Sequence, residues 1–121
     1  MNIYISGPIT GQSRLKCLVM FNAAAKQIIR RGHTPINPFD IGSQLPVDLE
    51  HKDYMIIDLA IIRRAADAVL FLDGWEASKG CKTERKYCER HNIPILDSFE
   101  DIPKHYVSSY NGPRRRQLPG G

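Results

Sequence analysis

The chain has 121 residues, 42% hydrophobic and 25% charged, which is ordinary for one soluble domain able to bury a core. No apolar run approaches the roughly 18 residues that a membrane span needs, and the start MNIYISGPITG lacks the basic and apolar regions of a secretory signal. The net charge of +4 owes much to Arg114–Arg116, in the Gly/Pro-rich ending NGPRRRQLPGG, so it is weak support for a nucleic-acid partner.

NIYIS (2–6) reads as a short strand, ended by the breakers of GPITG. Ser13 is placed to cap a helix over 14–31, with Leu15, Leu18, Phe21 or Asn22, Ala25, Ile28 and Ile29 at helical spacing and Gly32 at its end. HTPIN (33–37) is a weaker strand, and Pro35 argues for a sheet edge. PFDIGSQLPVD then reads as a loop. A second helix spans 50–65, with Tyr54, Ile57, Asp58, Ile61 and Ile62 on one side. DAVLFLD (67–73) is nearly all apolar, as a strand covered on both faces should be. GWEASKGCKTERKYCERHN leads from a loop into a third helix, and IPIL (93–96) supplies a fourth strand.

Alternating strands and helices predict an α/β fold, a small doubly wound, Rossmann-like parallel sheet of order 2-1-3-4 with helices on both faces. One domain is expected over 1–110, with a disordered basic tail over 111–121. Ligands of such sheets bind beyond the carboxyl ends of the strands where the order reverses, which nominates GPITG and DGWEASKG. Cys17, Cys81 and Cys88 form no CxxC pair and their number is odd, so reduced thiols in a cytoplasm are expected, acting as small buried hydrophobes. His33, His51, His91 and His105 show no metal-binding spacing, and neither metal nor cofactor is assigned.

Several residues each carry two readings. SGPITG could offer backbone N–H groups to a phosphate through Ser6, Gly7, Ile9, Thr10 and Gly11, or be an ordinary strand-to-helix turn; Pro8 removes one donor and no P-loop lysine follows. Ser78 could touch a ligand or only cap the third helix, and Gly80 lets the backbone come close to a ligand. Trp75 could stack a base or simply pack. In the third helix Lys82, Arg85, Lys86, Glu89 and Arg90 make a wet face, while Glu84 falls in the inward stripe with Cys81 and Cys88. A buried carboxylate calls either for a partner, here an ion pair with Arg63, Arg64 or Lys79, or for a chemical role. Asp58 raises the same question between isoleucines, with Tyr54 as a local partner. Tyr4, two residues before the first loop, could orient such a carboxylate or be core. Paired acids in different environments suit glycosidic chemistry.

YISGPITG, DLAIIRRAADAVLFLDGW and SKGCKTE, in that order over residues 1–97, resemble the nucleoside 2-deoxyribosyltransferase superfamily, including its 2'-deoxynucleoside 5'-monophosphate N-glycosidases. The likeness is to short bacterial and phage members. It implies Glu84 as nucleophile at C1' of the sugar, Asp58 as proton handler and Tyr4 as the residue that holds Glu84. It further implies Ser78 and the GPITG loop as binders of a 5'-phosphate. The implied partner is a small-molecule nucleoside or nucleotide, with a homodimer sharing sites, no membrane, and nucleic acid not expected. Hydrolysis is favoured over base exchange by the anion-friendly loop. The region after IPIL does not align, so a role for Ser108 or Ser109 in a neighbouring subunit's site has no aligned position behind it. A non-catalytic module that sequesters a nucleotide-derived ligand is the alternative, and nucleic-acid binding through the basic tail ranks last.

Overall fold

The computed structural model describes residues 1–104, so the expectations for the tail and for Ser108 and Ser109 lie outside the described residues. In chain order the elements are β1 (Asn2–Ser6), α1 (Arg14–Arg30), β2 (Thr34–Ile36), α2 (Pro38–Gly42), α3 (His51–Ala65), β3 (Ala68–Phe71), α4 (Lys79–Arg90) and β4 (Ile95–Leu96). The four strands pair in parallel in the order β2-β1-β3-β4, as expected. Among the described residues no helix is long and apolar enough to cross a membrane.

The sheet separates two apolar clusters because successive strand residues point to opposite faces. Ile3 and Ile5 of β1 and Ala68 and Leu70 of β3 pack with Cys17, Phe21, Ala24 and Ile28 of α1. Tyr4, Val69 and Phe71 point the other way, to Ile62 of α3 and Cys88 of α4. The next residue of β1 on that second face is Ser6, which is fully buried at the strand's carboxyl end.

Local signals explain the helix boundaries. The Ser13 hydroxyl accepts from the Lys16 N–H, and α1 ends with Gly32 at φ 89°, its N–H on the Ile29 carbonyl and the His33 N–H on that of Ile28. That pair of bonds is the Schellman arrangement, which needs the left-handed backbone glycine adopts without strain. Glu50 caps α3 through a capping box with Asp53.

Three expectations need correction. The inward stripe of α1 is Cys17, Phe21, Ala24 and Ile28, whereas Leu15 is 70% exposed and Ile29 59%. The small Cys17 and Ala24 let this helix approach the sheet, which the bulkier stripe would prevent. The segment expected to be all loop opens with α2: Asn37 accepts from the Phe39 N–H and Pro38 takes the first helical position, where its missing donor costs nothing. Arg85 leaves the wet face of α4 and makes two bonds to Asp97, at 2.7 and 3.3 Å, with its guanidinium over the rings of Trp75 and Phe71.

Gly7 closes the contact between β1 and α1. A Cβ there would lie 2.9 Å from Leu72 Cδ1 and 3.1 Å from Phe21 Cζ, both side-chain ends in the core. Gly7→Ala is therefore expected to destabilise the fold by about 1–3 kcal/mol through overpacking, read as a lowered melting temperature in a thermal unfolding curve. An unchanged melting temperature would contradict this packing role.

Candidate active site

The carboxyl end of β1, with the start of α1, α2 and the first turns of α3 and α4, lines a cavity of about 420 Å³, within the range of small-molecule sites. Tyr4, Ser6, Asp58 and Glu84 all line it. Of these Glu84 is a buried acid, only 5% exposed. The Tyr4 hydroxyl donates to Oε2 at 2.9 Å and the Ser6 hydroxyl to Oε1 at 2.6 Å. The two-residue repeat of a strand places both hydroxyls on the α4 side, and the helical step from Cys81 turns Glu84 to meet them. Glu84 thus has hydroxyl partners in place of the cations the sequence offered. Among the described residues the ion pairs are Lys52–Glu50 and Arg85–Asp97.

Burial governs the protonation of this group. It raises the Glu84 carboxyl to about 7, with the Asp58 charge adding to the rise and the Ser6 and Tyr4 hydroxyls holding it back. Asp58, half-buried, is likewise lifted by burial to about 6, opposed by the Tyr4 hydroxyl and by the charge of His51. Burial and the two carboxylates push the Tyr4 phenol well above its ordinary range, so it remains a donor. Burial also raises the Cys81 thiol and lifts Cys88 to about 11, which keeps both from acting as thiolate nucleophiles near neutral pH.

The remaining expected residues divide. Gly7, Ile9, Thr10, Ser78 and Gly80 line the cavity; Gly11 and Trp75 do not. Gly11, at φ 79°, shapes the turn before α1. Trp75 packs edge-on against Phe71 with ring centroids 5.8 Å apart, beside a separate hollow that includes Arg85 and Asp97. Ser6 also lines the cavity, and its side-chain hydroxyl donates to Glu84. Ser78 accepts from the Cys81 N–H as the cap of α4. A Cβ on Gly80 would stand 3.3 Å from Met55 Sδ, so this glycine lets α4 pack closely on α3. The Tyr54 hydroxyl turns to the Pro46 carbonyl at 3.4 Å, not to Asp58.

Sequence reasoning missed Arg14, Phe39, His51 and Met55, which also line the cavity. A signal was present for part of this set. His51, Tyr54, Met55 and Asp58 follow the i, i+3, i+4, i+7 spacing of one helix face, and all four reach the cavity. Among the described residues no group of three or more His, Cys, Asp or Glu side chains could hold a metal ion.

The chain belongs to the family described as a domain of unknown function, DUF4406, whose match covers residues 1–97. That span contains all four strands and every cavity residue named above. No curated protein matches the chain.

The buried acid makes stability depend on pH in a definite direction. Below about pH 4 Glu84 is protonated in both the folded and unfolded chain, and its burial carries no ionisation cost. Between about 4.3 and 7 the unfolded chain ionises first, so folding loses up to about 3 kcal/mol through this one group as pH rises. Glu84→Gln is expected to be more stable than wild type at pH 8, with the gap closing towards pH 4, in urea unfolding at both pH values. A gap that does not change with pH would contradict the raised carboxyl.

Proposed function

We propose that this DUF4406 domain cleaves the N-glycosidic bond of a nucleoside or nucleoside 5'-monophosphate, with Glu84 as nucleophile. The observation that carries the reading is a buried carboxylate, oriented by two hydroxyls and facing a small-molecule cavity beside a second acid. The resemblance of YISGPITG, DLAIIRRAADAVLFLDGW and SKGCKTE to the nucleoside 2-deoxyribosyltransferase superfamily supports the same assignment.

A carboxylate held at both oxygens has few orientations, so bringing C1' against it converts a bimolecular step into an oriented one. The ionised Glu84 attacks C1', the C1'–N bond breaks, and its electron pair leaves with the base, which takes a proton from Asp58. The covalent glycosyl ester on Glu84 is then opened by water, whose proton passes to the ionised Asp58. Charge and protons balance over the two steps, and Glu84 returns as the carboxylate. Asp58, lifted to about 6, is suited to holding a proton and then receiving one. Tyr4 and Ser6 steady the carboxylate between attacks, and a second base in place of water would give the transferase. We favour the hydrolase, acting in the cytoplasm as a homodimer.

Base release from nucleosides and nucleoside 5'-monophosphates, ribo and deoxy, tests the proposal. Wild type should liberate free base, and Glu84→Gln should lower the rate by roughly 10³-fold or more. Tyr4→Phe removes one hydrogen bond to a charged group, and a loss of about 10- to 100-fold is expected. Because attack needs Glu84 ionised and the leaving base needs the Asp58 proton, kcat/KM should follow a bell with its maximum between about 6 and 7, falling on both sides. Ligand binding without base release, even with an added acceptor base, would point to a sequestering module.

A further inference from the structure

Glu84 is aimed by the helix that carries it, and the next residue of that helix has an anchorage of its own. Consecutive helical side chains leave the axis about 100° apart, so Glu84 and Arg85 hold the rotation of α4 from two directions. Glu84 reaches β1 near the middle of the sheet, and Arg85 reaches its edge, where Asp97 directly follows β4. The guanidinium makes a fork with that carboxylate, Nη1 to Oδ1 at 2.7 Å and Nη2 to Oδ2 at 3.3 Å. It also lies 4.3 Å from the ring centre of Trp75 and 5.0 Å from that of Phe71. Asp97 is held in turn, its N–H donating to the Asp101 carboxylate at 3.1 Å. An exposed ion pair of a flexible cation constrains a helix little, but a planar fork backed by two rings has few orientations. The Arg85 side chain is only 20% exposed.

The two anchorages meet in the sheet. Phe71, the last residue of β3, is the register partner of Ser6, whose hydroxyl donates to Glu84 Oε1. Partners on neighbouring strands thus hold consecutive residues of α4, and a rotation that released one would displace the other. Arg85 lines the separate hollow with Asp73, Trp75 and Glu76, not the cavity that Glu84 faces. The protonation of Glu84 follows from burial, the Ser6 hydroxyl, the Asp58 charge and the Tyr4 hydroxyl, so an influence of Arg85 runs through the position of the helix. We propose that Arg85 is a positioning residue: with Asp97, Trp75 and Phe71 it sets the rotation of α4 that brings Glu84 between the Tyr4 and Ser6 hydroxyls. The chemistry it serves rests on the glycosidase reading, whereas the placing of the carboxylate does not.

Two readouts separate this role from simple support of the fold. The first is titration of the Glu84 carboxyl by NMR of its labelled carbon, with Glu84→Gln identifying the signal, in wild type, Ser6→Ala, Arg85→Gln and Arg85→Lys. The hydroxyls hold this group down, so a loosened grip raises it. The wild-type midpoint of about 7 should move up in Arg85→Gln, in the direction of Ser6→Ala, and less in Arg85→Lys, which keeps the charge without the fork. The second is base release: kcat should fall about 10- to 100-fold in Arg85→Gln with KM nearly unchanged, as a small misplacement of a reacting group implies. Asp97→Asn should act alike, and the double variant should be no worse than Arg85→Gln alone, because the pair works as one unit. Thermal unfolding shows which variants are folded, and Arg85→Lys and Asp97→Asn carry the test if Arg85→Gln is not. An unmoved midpoint would overturn the proposal, as would an unchanged kcat or a loss confined to KM. If wild type releases no base, the glycosidase reading fails and the titration alone decides this one: an upward shift sustains it, and an unmoved midpoint removes it.

Discussion

The arrangement of this molecule turns on one carboxylate that should not, on solvation grounds, be where it is. Glu84 is nearly inaccessible to water, and an isolated ionised acid in that position would cost several kcal/mol. Two hydroxyls from the central strand reduce that cost without neutralising the group, since a hydroxyl lends a proton to a hydrogen bond and keeps its own charge unchanged. An arginine or lysine in their place would hold the acid ionised but weaken it as a nucleophile. The hydroxyl pair leaves Glu84 poised between its two protonation states near neutral pH.

Holding that carboxylate constrains the rest of the fold. β1 must lie between β2 and β3, with Tyr4 beside Val69 and Ser6 beside Phe71, for its end to open into the crevice. α4 must sit close enough for one glutamate to span two strand positions, and the missing side chain at Gly80 permits its close packing against Met55 of α3.

The strand order and most element positions were legible in the sequence because each rests on a local signal, such as Ser13, Gly32 or the unbroken apolar run before Asp73. Glu84 and Asp58 were legible for a related reason: a charged residue in an apolar helical stripe stands out against its neighbours. Other features depend on choices between near-equal alternatives. α1 carries two overlapping apolar stripes, and the one that faces the sheet is decided by the small Cys17 and Ala24 rather than by the bulkier Leu15 and Ile29. Arg14 and His51 carry no signal of a site in the sequence, and only the tertiary approach of several helix ends brings them to one cavity. Ser6 was read by its loop, whereas its role follows from strand parity with Tyr4. For Trp75 the sequence leaves stacking on a base and plain packing both open, and its ring packs against Phe71 and Arg85.

The alternation along β1 has an evolutionary consequence. Ile3 and Ile5 anchor the α1 side of the protein, and Tyr4 and Ser6 hold the Glu84 carboxylate on the other, so core packing and the placing of that acid are written on interleaved letters of the same five-residue strand. Selection can alter one set while leaving the other intact. A lineage that lost the even-numbered hydroxyls would inherit the same scaffold with the Glu84 carboxylate no longer held in place. Insertion of a single residue into the strand would exchange the two sets at once, so length here is guarded more strictly than identity.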